Sequence, residues 1–170
     1  MMKGILVLCL GLLNLTLLGQ SGFIEESLEK WENSKEYTIE VAEAMPEEAY
    51  DYKPTEDQMS FKEQLLHMMG NINWLSITYL PGESAGFDLK STEYSKQEII
   101  GMLRKTYEMA GKAIEKMDVE QLDEKVEFFA GPKTKRQIMT LLNDHSTHHR
   151  GQIIIYLRMK GINPPRYRGW

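Results

Sequence analysis

The sequence predicts an all-α protein, a four-helix bundle of the up-down type with longer crossover loops. Four stretches carry apolar residues at helical spacing, capping boxes open the later three, and turn-forming residues separate them. The first helix is expected from about Gly22 to Met45, where Phe23, Leu28, Trp31, Ile39 and Val41 recur among acids and lysines until Pro46 stops it. The second starts at Ser60, with Glu63 placed to complete the cap, and runs through Leu65, Met69, Ile72 and Leu75 to about Tyr79 before Pro81-Gly82. Ser95 and Glu98 announce the third, which carries Ile99, Leu103, Tyr107 and Ile114 on one face and ends near Met117. Thr134 and Gln137 open the fourth and longest, from Lys135 to Lys160, with Gly161 as its left-handed end and Pro164-Pro165 forbidding resumption. Between helices three and four, Val126-Glu127-Phe128-Phe129 reads as a short extended piece without a partner, so no sheet is expected.

Length and composition bound the rest. A chain of 170 residues with 42% hydrophobic and 26% charged residues has the makings of one globular core and no room for two domains. A formal charge of −5 with scattered Lys and Arg argues against a nucleic-acid partner, which needs a basic face. At the N-terminus, Met1-Met2-Lys3 precedes an uncharged apolar run from Ile5 to Leu18 and then Gly19-Gln20-Ser21. That run is shorter than the roughly 20 residues of a spanning helix, so residues 1–21 are read as a cleaved secretory signal and 22–170 as the domain. The expectation is a periplasmic or secreted protein with no stable membrane anchor. Cys9, the one cysteine, lies in the leader without the small residue before it that lipid attachment favours, and the mature chain therefore has no thiol nucleophile or ligand.

Chemistry concentrates in the histidines. Three of the four fall within Asp144 to Gln152, near the middle of helix four. His145 and His149 are one turn apart, on the stripe that also carries Ile138, Leu142, Gln152 and Tyr156, and so are expected to point toward the core. Two neutral imidazoles in an apolar interior need partners for their ring nitrogens, and a divalent cation satisfies one nitrogen of each. His67 on helix two offers a third ligand, with Gly70 and Asn71 leaving room beside Trp74. The ordinary alternative is that these are surface or satisfied core histidines. His148, rotated about 60° from His145 on an ideal helix, is the competing ligand or a neighbour behind the site. Asp144 and Arg150 fall off the ligand stripe; Asp144 is read as solvent-facing or supporting, and Arg150 as a salt-bridge residue or an anion-binding group for substrate.

The run Met59 to His67, together with Asp144-His145 to Gln152, Leu157-Arg158 and the ending Gly161 to Tyr167, resembles the DinB superfamily over about residues 23–167. The resemblance implies a four-helix bundle holding a divalent metal through His67, His145 and His149, with zinc the first choice, nickel the second and a homodimer plausible. Three histidines leave a coordination position open, as in catalytic zinc sites. The Glu of the His-Glu-x-x-His proteases is missing, since Ser146 follows His145. The expected activities are therefore a hydrolase-like reaction or thiol-dependent transfer on a small-molecule substrate, with export favouring the hydrolase. The alternatives are a non-catalytic metal- or small-ligand-binding bundle and a scaffold stabilised by its metal.

Overall fold

A computed structural model describes residues 22–91 and 93–170. Helices α1 (Met2–Ala44, described from Gly22), α2 (Phe61–Tyr79), α3 (Lys96–Glu115) and α4 (Lys135–Met159) form the bundle. The leader expected over 1–21 lies outside the described residues, and among the described residues no helix is long and apolar enough to cross a membrane.

The sequence signals work locally as their chemistry requires. The hydroxyls of Ser60, Ser95 and Thr134 accept from the backbone N–H three residues on, and Glu63, Glu98 and Gln137 reach back to complete each capping box. The Glu63 carboxylate is held below its usual range by its bonds to Ser60. At the other end of α4, Gly161 takes φ 74°, a left-handed conformation that favours glycine.

α1 packs against α3 and α4, and α2 against the same two, so each helix meets its sequence neighbour across a diagonal in the pairs α1/α2 and α3/α4. The two diagonal crossings need the long connections. The first is pinned by Phe61 N–H to Tyr52 O and Lys62 N–H to Tyr50 O, while the buried Tyr50 hydroxyl donates to Ala42 O at 2.8 Å. Burial of Trp31, Ile39, Leu65, Met69, Ile72, Leu103, Ile138 and Leu157 makes one continuous core. Trp31 donates its indole N–H to Tyr107 O at 2.9 Å, which allows that polar atom to be buried without loss.

The unpartnered extended piece is corrected. Lys125–Val126 (β1) pairs antiparallel with Lys133–Thr134 (β2), a partner short enough to look like the cap of α4 alone. Phe128 and Phe129 sit in the turn of this small hairpin, which closes through Gly131 N–H to Phe128 O at 2.9 Å with Gly131 at φ 87°.

Candidate metal centre

Because α2 and α4 lie side by side, His67 on one helix comes to His145 and His149 on the other. Each of the three offers a ring nitrogen, and these nitrogens all lie within 4.8 Å of one another. His145 and His149 present Nε2 to Nε2 at 3.2 Å. The inward-facing expectation holds for His149, which is buried, and in part for His145, half-buried; His67 is exposed, so the group sits at the rim of the α2/α4 seam. Tyr156 and Gln64 are buried beneath it.

A chain of hydrogen bonds orders the site. Gln152 Nε2 donates to His148 Nε2 at 2.8 Å, Gln64 Nε2 donates to Gln152 Oε1 at 2.6 Å, and Gln64 Oε1 accepts from His149 Nδ1 at 2.6 Å. The Tyr156 hydroxyl donates to Met59 O at 3.0 Å and accepts from Gln64 Nε2 at 3.4 Å. Since the Gln64 amide nitrogen is committed to donating, its oxygen must accept, and the proton of neutral His149 is inferred to sit on Nδ1. Its Nε2 lone pair then faces His145. Burial, reinforced by the neighbouring imidazoles, lowers both His145 and His149 from 6.5 to about 4, so both rings are neutral near neutral pH.

These donors suit a divalent cation. Ligand nitrogens about 2.0–2.1 Å from a tetrahedral ion stand roughly 3.3–3.4 Å apart, close to the 3.2 Å between the two Nε2 atoms. The orienting Gln64 behind His149 is the kind of partner that fixes a ligating imidazole. His145 Nδ1, buried without a hydrogen-bond partner, marks a ring whose placement the protein's own polar groups leave incomplete. The exposed His67 offers the third nitrogen, within 4.8 Å of the other two.

Beside His67 opens a cleft of about 550 Å³ lined by Glu63, Leu66, His67, Gly70, Asn71, Trp74, Leu89 and Lys90. Glu63, its one carboxylate, accepts from Ser60 N–H at 2.7 Å and is spent on the helix cap. Asn71 and Trp74, expected near the site, line this cleft; Gln152 and Tyr156 lie behind it in the hydrogen-bonded chain. His148 is exposed and accepts from Gln152, a neighbour behind the trio. Asp144 is exposed, as expected.

Arg150 is corrected on both readings. It is buried, with NH1 donating to Ser34 Oγ at 2.7 Å and NH2 to Thr147 Oγ1 at 3.2 Å, faces α1 and has no carboxylate partner among the described residues. Sequence reasoning missed Gln64, although its place three residues before His67 on a helix facing α4 was a usable signal. Leu89 and Lys90 belong to an irregular loop that carries no periodicity to read.

The DinB family model matches residues 16–169. An uncharacterized protein of Bacillus subtilis, YjoA, is 30% identical over 128 residues, 73% of this chain and 82% of that protein. The crystal structure of this DinB-like YjoA superposes with a TM-score of 0.70 at 25% identity, covering 84% of this chain and 97% of that one. A DinB-like protein of Bacillus cereus gives a TM-score of 0.71 at 20% identity over 84% of this chain and 96% of its own, a likeness of fold. With a bundle of the same architecture and a family match that spans nearly its whole length, the chain belongs to the DinB family.

Proposed function

We propose that His67, His145 and His149 hold one divalent transition-metal ion, zinc first and nickel second, in an exported enzyme that acts on a small molecule in the adjoining cleft. The observation that carries the reading is the convergence of two neutral imidazole nitrogens at 3.2 Å beside a third histidine at the mouth of that cleft. Bound there, the ion would supply Lewis acidity, lowering the pKa of a water or thiol and polarising a carbonyl. Gln64 holds His149 in the tautomer that ligates, and Gln152 and Tyr156 hold Gln64. Because Glu63, the carboxylate of the cleft, is bonded to Ser60 and held below its usual range, it is a weak general base. That favours reactions whose nucleophile can lose its proton unaided once its pKa is lowered, which describes water in a hydrolase-like reaction and a low-molecular-weight thiol in a transferase. Export away from cytoplasmic thiols puts the hydrolase first.

Elemental analysis of the purified protein beside the His145→Ala/His149→Ala double variant tests this. About one equivalent of transition metal is expected in the native protein and none in the variant. A native protein that stays metal-free after incubation with zinc and nickel would sink the proposal, as would a double variant that keeps its metal. With the metal in place, esterase and thiol-transfer assays before and after chelation choose between the two chemistries.

A further inference from the structure

Glu63, His67, Gly70 and Trp74 follow one another at three- and four-residue steps, with Asn71 beside Gly70, so a single stripe of α2 floors the cleft. His67 lies one turn in from Glu63, and Trp74 marks the far end, two turns and about 10 Å further along the axis from His67. Gly70 lies between them, where an added Cβ would meet Leu89 Cδ1 at 3.9 Å. The floor is thus kept low midway.

Trp74 also belongs to a second assembly. Its indole stacks on Phe128 at 5.7 Å and 27°, lies 6.2 Å from Phe129 and meets Tyr79 edge-on at 5.7 Å. The small hairpin carries the two phenylalanines there. Phe129 is 83% exposed and Trp74 38% exposed, a concentration of uncovered aromatic surface next to a polar site. Phe128 packs partly against the core, while Phe129 and Trp74 leave their surface open beside it. Patches of this kind mark binding surfaces.

We propose that Trp74, backed by Phe128 and Phe129, is a specificity platform for the planar or aromatic end of an elongated small-molecule substrate whose reacting group sits at His67, His145 and His149. This rests on the metal-dependent reading above. Substrates of this class carry their ring several bonds from the reacting group, because Trp74 stands about 10 Å along α2 from His67.

The test uses the zinc-loaded protein and two hydroxamates that share one metal-binding head. Acetohydroxamate reports the metal alone, and phenylbutyrohydroxamate adds a ring on a tether long enough to approach Trp74. Titration by calorimetry is expected to show the aryl compound binding about tenfold more tightly, the size of a good aromatic contact. Trp74→Ala should erase most of that gain and leave acetohydroxamate binding unchanged; Phe129→Ala, at a ring that is 83% exposed and touches Phe128 and Trp74 from outside the core, should reduce it partly. Equal affinity of both compounds for the native protein, or a gain that survives Trp74→Ala, overturns the platform while leaving the metal site standing. If neither compound binds zinc-loaded protein, the open metal site itself fails, and the platform with it.

Discussion

Two faces of α4 bury polar groups and resolve them in opposite ways. Toward α1, Arg150 is 4% exposed, yet its guanidinium donates to Ser34 Oγ at 2.7 Å, Thr38 Oγ1 at 3.3 Å and Thr147 Oγ1 at 3.2 Å and lies 5.1 Å from the Tyr37 ring. Toward α2, His145 and His149 turn nitrogen to nitrogen, and His145 Nδ1 is left without a partner. The first cluster is completed by protein oxygens and an aromatic face, which is what a structural role demands of a buried cation. The second is fixed from the far side of His149, where Gln64 holds a proton on Nδ1 and thereby aims the Nε2 lone pair at His145. Burial alone does not mark function; buried ring nitrogens that converge without a full set of protein partners do.

The sharpest way to break this comparison is to truncate the completed cluster. Arg150→Met keeps an apolar stem but strands the buried hydroxyl of Ser34 and uncovers the face of Tyr37, and should lower stability by about 3 kcal/mol. Urea unfolding of metal-free protein measures it. Metal content should remain that of the native protein, since the guanidinium faces away from the α2/α4 seam. A variant that loses its metal while still folded would mean the two faces of α4 are one unit.

Much of this was legible in residue spacing, and the failures share a cause. Capping boxes at Ser60, Ser95 and Thr134 and the glycine at 161 depend on chemistry within four residues, so α2, α3 and α4 were placed to within about two residues, whereas the start of α1, which has no such cap, was not. His145 and His149 could be grouped because a helix fixes its own face, and His67 joined them through the family pattern. What periodicity could not supply was which neighbour each face meets. Arg150 looked like an ion-pair residue because charge usually seeks charge, whereas the Ser34 and Thr38 that receive it lie over a hundred positions away on α1. The partner of Val126 was hidden for the same reason: Lys133–Thr134 has no strand-like run of its own and becomes extended only through its pairing.

Within the metal face, Gln64→Leu removes the acceptor for His149 Nδ1–H while keeping volume in the seam. Losing such an orienting partner typically weakens metal binding about 10–100-fold, and competition against a chromophoric chelator should show a loss of that size in a stably folded protein. Affinity unchanged by Gln64→Leu would show that the His149 tautomer is set by something other than this amide.

The smallest expected effect sharpens the boundary of the site. His148 lies 5.0 Å ring to ring from His149, near enough to compete as a ligand, yet it is exposed and accepts from Gln152 at 2.8 Å. If it only ends the chain that begins at His149, His148→Ala costs one exposed hydrogen bond two residues removed from the imidazole that binds. A net effect of about 0.5 kcal/mol on an exposed bond corresponds to a two- to threefold change in metal affinity at most. A loss as large as that of Gln64→Leu would instead make His148 a ligand in exchange with His67, the most exposed of the trio, and the face of α4 toward α2 would then hold a metal by its own three histidines.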